Sequence, residues 1–146
     1  MQIKIAFQIR APIKYMTLKI GDSFSSTKQI TDKEIRTFAD LVNDYNPIHL
    51  DDDYAKATRF GKRIAHGMLT AGLISGVLGY QLSERKVLYL GQTLKFTAPV
   101  FVDDTITASA TVKNIREDKQ IVTLETNCTN QNGEMVLKGE AVIMLL

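Results

Sequence analysis

One cysteine in 146 residues leaves no partner for an internal disulfide, and a reducing, intracellular setting, cytoplasmic in the simplest case, is the expectation. Cys128 has no histidine or second cysteine near it in sequence, which argues against a metal cluster there. Its strand-like surroundings make it a small core residue. Long blocks of one charge are also missing. With 18 Lys and Arg against 16 Asp and Glu, a formal net charge of +2, the chain lacks the clustered basic surface of a nucleic-acid binder. No linker, repeat or low-complexity segment divides it, and no apolar run reaches the length that a bilayer demands. What is present is an ordinary globular composition, 45% apolar and 23% charged, in a length that suits one domain with a real hydrophobic core.

The first acidic residue is Asp22. Lys4, Arg10, Lys14 and Lys19 make a mildly basic start, without the continuous apolar segment or small-residue cleavage site of a secretory signal. Organellar targeting by this stretch stays open. Ile3, Ile5, Phe7 and Ile9 alternate with polar neighbours, which reads as a short strand or a loosely ordered extension. Residues 1–16 are accordingly set apart from a domain of residues 17–146.

Thr31-Asp-Lys-Glu34 has the form of a capping box. Ile35, Phe38, Ala39, Leu41 and Val42 follow as an apolar stripe at helical spacing. Proline fixes its own φ and pushes the residue before it out of the α region, so this helix is expected to stop near Tyr45, ahead of Pro47. Asp51, Asp52 and Asp53 read as the acidic first turn of a short second helix, complementing its dipole rather than holding a metal. Tyr54, Ala55 and Phe60 form its expected buried side and Gly61 its end. Residues 67–79 are apolar nearly all round, which predicts a helix buried on every face. Glycine inside a helix costs about 1 kcal/mol relative to alanine, so Gly72, Gly76 and Gly79 predict a backbone or a thin ligand lying very close.

From Val87 the hydrophobic period changes. Strands are expected at 87–97, 105–116, 120–130 and 134–146, with turns at Glu117-Asp-Lys119 and Asn130-Gln-Asn-Gly133. Pro99 and Asp103-Asp104 interrupt the first pair. Helices followed by an antiparallel meander give an α+β class, with a curved sheet wrapped around the one apolar helix.

Asp44-Tyr-Asn-Pro-Ile-His49 carries the chemistry. A carboxylate and an imidazole stand five positions apart around a stiff Asn-Pro step. An acid/base pair acting on one water needs such a bent, rigid support. Asn-Pro is also a common turn signal, so the spacing alone leaves a plain helix stop with a surface histidine open. Asn46 suits an Asx-type bond that stiffens the turn.

The run Phe38-Ala-Asp-Leu-Val-Asn-Asp44-Tyr-Asn-Pro-Ile-His49 resembles the hydratase motif of MaoC-like, R-specific enoyl-CoA hydratases. Ile64-Ala-His-Gly67-Met-Leu-Thr-Ala-Gly-Leu-Ile-Ser75-Gly-Val-Leu-Gly continues the likeness, and Tyr89-Leu-Gly-Gln-Thr-Leu-Lys-Phe96 and Pro99-Val-Phe-Val-Asp-Asp104 extend it toward the C-terminus. The resemblance implies a single hot-dog domain, a long central helix wrapped by an antiparallel sheet, usually as a homodimer. It implies reversible addition of water to a trans-2-enoyl-CoA, giving an (R)-3-hydroxyacyl-CoA. Asp44 and His49 are then the catalytic pair, Gly67 the oxyanion donor through its amide, and Ser75 a serine near the site. The case for Gly67 also stands on physics, since a helix N-terminus carries unpaired N–H groups and partial positive charge, and glycine lets a ligand approach closely. Two departures are present: Asn43 stands where many members have Gly or Ser, and the basic N-terminal stretch has no counterpart.

His66 reads as a structural hydrogen-bonding residue. Phe38, Leu73 and Leu78 are candidates for the wall of an acyl tunnel. Arg59, Lys62 and Arg63 form a local basic cluster that offers itself to coenzyme A phosphates, with ordinary surface charge as the simpler reading. Neither a metal nor a redox cofactor is required, coenzyme A being part of the substrate. A thioesterase of the same fold generally places its carboxylate on the central helix, where residues 68–79 have none. A (3R)-hydroxyacyl-carrier-protein dehydratase runs the same chemistry and stays open, as do acyl chain length and pathway. A purely acyl-thioester-binding domain fits poorly with a retained acid, histidine and glycine.

Overall fold

The computed structural model describes residues 17–146; the reading of residues 1–16 as an extension falls outside them. In chain order the elements are β1 (Ser23–Gln29), α1 (Asp32–Val42), α2 (Pro47–Leu50), α3 (Asp52–Lys56), α4 (Gly67–Gln81), β2 (Val87–Phe96), β3 (Thr105–Arg116), β4 (Ile121–Thr129) and β5 (Met135–Leu145). All strands are antiparallel to their neighbours and form one sheet in the order β1-β3-β4-β5-β2. The four strands expected from Val87 onward are present within a residue or two. The simple meander is not: β2 pairs with β5 at the far edge, because the chain from Pro99 to Asp104 carries it away before β3 begins. That crossing is pinned by Ala65 donating to the Val100 carbonyl at 2.7 Å and Asp103 donating to Ile30 at 2.7 Å.

β1 was not legible in the sequence. Ser-Phe-Ser-Ser-Thr-Lys-Gln has one large apolar residue, and as an edge strand it buries little. Its hold on β3 is a ladder with side-chain hydroxyl pairs, Ser23 with Thr111 at 2.9 Å and Thr27 with Thr107 at 2.8 Å.

Helix α4 packs against the inner face of the sheet. Ile74, Val77 and Leu78 meet Ile106, Ala108, Ala110, Val112, Val122 and Leu124 in one core. Cys128 is fully buried in it, and burial pushes its thiol up to about 12, so it is an inert core residue. Only one face of α4 is covered, contrary to the expectation. Met68, Gly72, Ser75, Gly76, Gly79 and Tyr80 form an exposed face within the single chain. The expected close approach at the helix glycines is absent too: a Cβ at Gly72, Gly76 or Gly79 would meet nothing within 4 Å. Among the described residues, no helix is long and apolar enough to cross a membrane.

The tight glycine is Gly139, opposite Leu94 in the β2–β5 ladder. A Cβ there would lie 1.8 Å from the Thr93 carbonyl oxygen, a backbone atom that cannot move without opening the pair. Gly139→Ala is expected to lower stability by about 1–3 kcal/mol, the usual cost of overpacking. Urea unfolding with an unchanged midpoint would contradict that contact.

Candidate active site

The capping box opens α1 as expected: the Thr31 amide donates to the Glu34 carboxylate at 3.0 Å, and the Thr31 hydroxyl bonded to that carboxylate, with smaller help from Lys28, brings its pKa down to about 2. The helix ends earlier than the proline requires. Asn43 takes a left-handed conformation, φ 58 and ψ 32, which asparagine tolerates better than most residues. The Asp44 amide then folds back to the Ala39 carbonyl at 3.1 Å. The left-handed conformation accounts for Asn at position 43. Leu41 and Val42, read as part of the buried stripe, are instead exposed.

The next turn is stiffened twice. Asp44 Oδ1 accepts from the Asn46 amide and Asn46 Oδ1 from the Ile48 amide, each at 3.2 Å. Asn46 is therefore the N-cap of α2, and Pro47 takes its first position, where a missing N–H costs nothing. His49 sits on this one-turn helix. α3 follows with Asp51 as N-cap, its side chain accepting from Tyr54 at 2.9 Å. Only Ala55 of the expected buried side is buried; α3 stops at Lys56, and Gly61 belongs to a later turn at φ 70.

The His49 ring is buried. Its Nδ1 lies 2.7 Å from the Ile64 carbonyl oxygen. A carbonyl only accepts, so Nδ1 carries the hydrogen and Nε2 presents a lone pair. Burial pushes His49 below the usual histidine range, against the opposing pull of the Ile64 carbonyl; His66 adds to the lowering and Asp44 counters it. His66 lies face to face with His49, ring centroids 3.9 Å apart at 32°, and its Nε2 donates to the Asp44 carbonyl at 3.0 Å. Ligating atoms of Asp44, His49 and His66 all come within 4.8 Å of one another. The trio fits a metal poorly. The two rings pack against each other at 3.9 Å with a tilt of 32°, which does not aim two lone pairs at one point. The set is suited to moving a proton.

Gly67 opens α4, with His66 as its N-cap. The Leu69 amide bonds to the His66 carbonyl at 3.1 Å, whereas the amides of Gly67 and Met68 find no acceptor among the described residues. A helix end of this kind offers free donors and positive potential to an oxyanion. Over Gly67 lies Phe96: a Cβ on residue 67 would sit 2.7 Å from its Cε1.

The remaining candidates separate. The half-buried Phe38 ring stands 5.0 Å from that of His66. Leu73 is half-buried, and Leu78 is deep in the core. Ser75 lies on the exposed face of α4, and no hydrogen bond joins it to Asp44, His49 or His66 among the described residues. The basic cluster splits. The Arg63 side chain is 10% exposed and bonds to Asp32 at 2.5 Å and Asp52 at 2.7 Å, and it donates to the His49 carbonyl at 3.2 Å. It buttresses the site through these bonds, and so deeply covered a guanidinium is a poor candidate for a coenzyme A phosphate. Arg59 and Lys62 are exposed, with Lys62 Nζ 4.2 Å from the Phe101 ring centroid. A cleft of about 360 Å³ lined by Thr93, Lys95, Glu125, Asn127 and Lys138 contains none of these residues.

Residues 17–133 match the model of the MaoC like domain. The chain is 47% identical over 128 residues to the (R)-specific enoyl-CoA hydratase of Rhodospirillum rubrum, covering 88% of each. It superposes with a TM-score of 0.86 on the (R)-hydratase from Aeromonas caviae involved in PHA biosynthesis, at 44% identity, covering 90% of this chain and all of that one. A mitochondrial 3-hydroxyacyl-[acyl-carrier-protein] dehydratase of Arabidopsis thaliana is 31% identical over 131 residues, 88% of this chain and 78% of its own length.

Proposed function

The chain belongs to the MaoC-like family and has its hot-dog fold, and on that premise we propose that it is a hydro-lyase that reversibly hydrates trans-2-enoyl-CoA to (R)-3-hydroxyacyl-CoA. The observation that carries the mechanism is the gathering of the Asp44 carboxylate and the His49 imidazole, its tautomer set by Ile64, beside the free amide end of α4. Water held between Asp44 and His49 Nε2 adds through its oxygen to C3 of the enoyl group while the imidazole takes its proton. Charge develops on the thioester oxygen, where the Gly67 amide receives it. The same pair returns a proton to C2, and in dehydration the steps reverse. Asn46 holds the turn; Ser75, two turns beyond Gly67 on the exposed face of α4, is left for contact with the bound substrate or water. Phe38 with Leu73 is assigned to the acyl chain, whereas Leu78, sealed in the core, has no surface to offer it. Arg59 and Lys62 remain for the coenzyme A phosphates. No cofactor beyond the coenzyme A of the substrate enters this scheme.

Loss of enoyl absorbance on crotonyl-CoA with no free thiol released is the expected result. Thiol release would instead make it a thioesterase. The Arabidopsis relative supports a second substrate form, an acyl chain on a carrier protein; a higher kcat/KM on crotonyl-carrier than on crotonyl-CoA would favour it.

A homodimer is part of the proposal. β2 is an unpaired sheet edge that exposes Leu88 and Leu90, and α4 exposes Met68 and Tyr80. Edges and apolar faces of this kind need cover. Light scattering is expected to give twice the 16.3 kDa chain mass, and an active monomer would contradict it. We place the protein in the cytoplasm, a setting consistent with one buried free thiol, with residues 1–16 as an extension to a catalytic unit of 17–146.

A further inference from the structure

We infer that His66 is a positioning residue for this reaction: it sets the spacing of Asp44 and His49 and ties that pair to the Gly67 amide. The inference rests on Asp44 and His49 being the reacting pair. Three contacts define the role. His66 Nε2–H holds the Asp44 carbonyl at 3.0 Å. One face of its ring packs on His49 at 3.9 Å. Its backbone is the N-cap of α4, so the next amide is that of Gly67. The Phe38 ring, 5.0 Å away and tilted by 59°, adds packing on the imidazole.

Helix stability does not explain the choice of residue. Ser, Thr, Asp or Asn at an N-cap would bond to the first-turn amides, and the His66 side chain makes no such bond. Burial does not explain it either. The residue is 2% exposed and its Nδ1 finds no partner, a cost that an apolar side chain would avoid. What an imidazole supplies here is a donor at Nε2 and a flat face at once. The donor fixes the backbone that carries the carboxylate, and the face fixes the ring that carries the base. Removing His66 frees both and gives His49 a wetter surround, which raises its pKa, since burial and His66 are what lower it.

The test uses the full chain and three variants, His66→Ala, His66→Gln and His66→Phe, assayed with crotonyl-CoA across pH beside His49→Ala. His66→Ala is expected to lose about a hundredfold in kcat, the scale of a misplaced reacting group, with KM changed by less than about threefold. The acid limb of its pH profile moves to higher pH. Glutamine, which restores a donor near the Nε2 position, recovers at least about tenfold over alanine and exceeds phenylalanine, which restores only the face. A kcat for His66→Ala within about threefold of the wild-type chain overturns the inference. So does a loss of turnover that follows melting temperature across the variants with the acid limb unmoved. Should His66→Ala fail to fold, the Gln and Phe variants decide, and Phe equal to or better than Gln is the contradicting result. Activity retained by His49→Ala would overturn the pair itself; an inactive His49→Ala beside a normal His66→Ala overturns only the role of His66.

Discussion

Asp44→Asn and His49→Ala each lose about a hundredfold to ten-thousandfold in turnover on crotonyl-CoA, the range of a general acid/base contribution. The two differ in what else they disturb. The Asp44 carboxylate is half exposed and accepts only the Asn46 amide among close hydrogen bonds. Asparagine still presents an Oδ1 to that amide, so Asp44→Asn keeps the turn and its melting temperature. His49→Ala empties a buried site and leaves the Ile64 carbonyl unpaired, at about 1–3 kcal/mol. Its turnover must therefore be read on folded protein. The pH profile adds a signed expectation. His49 acts as a base only when neutral, and burial first of all holds its pKa below the ordinary histidine range, so the wild-type acid limb lies below where an ordinary histidine would place it. Asp44 raises the His49 pKa. Residual activity of Asp44→Asn therefore has an acid limb displaced further down. Near-normal turnover by either folded variant, or a limb displaced upward in Asp44→Asn, contradicts the assignment.

Gly67→Ala is expected to lose about tenfold to a hundredfold in turnover with little change in stability. One preorganised donor is worth roughly 3 kcal/mol in the barrier, and alanine retains the N–H while moving what surrounds it. The methyl meets the Phe96 ring at 2.7–3.0 Å, not open space. Phe96 is 51% exposed on the edge strand β2, so its ring swings aside at small cost, and up to about 1 kcal/mol of helix propensity offsets that cost. Two causes of lost turnover are thus in play, and a double variant separates them. If crowding of the donor is responsible, Phe96→Leu does not restore Gly67→Ala. Full restoration by Phe96→Leu assigns the defect to the ring alone and removes Gly67 from the oxyanion role.

The sequence carried some levels of this fold and not others. The α4 core face and strands β3 to β5 follow hydrophobic period, which reports burial directly. β1 escaped because an edge strand held by Ser and Thr pairs has no such period. The exposed face of α4 was misread because its glycines and serine look buried by composition, and periodicity does not tell a face covered by the sheet from one the sheet leaves open. Topology escaped for a related reason, since pairing β2 with β5 depends on long-range register. At the site, Asp44, Asn46 and His49 were legible through local turn chemistry within a few residues. The hydrogen-bonding role of His66 was legible, but not its partners, because its contacts to Asp44 and His49 span 22 and 17 positions. The ion pairs of Arg63 were out of reach for the same reason, its partners Asp32 and Asp52 being 31 and 11 positions away.

The configuration of the product tests the central claim most directly. Crotonyl-CoA hydrated by the purified chain is hydrolysed after the reaction and resolved by chiral chromatography. The account requires 3-hydroxybutyrate that is overwhelmingly the 3R enantiomer, formed without loss of the thioester during turnover. A dominant 3S product, a racemate, or free coenzyme A in place of hydrated thioester would contradict it.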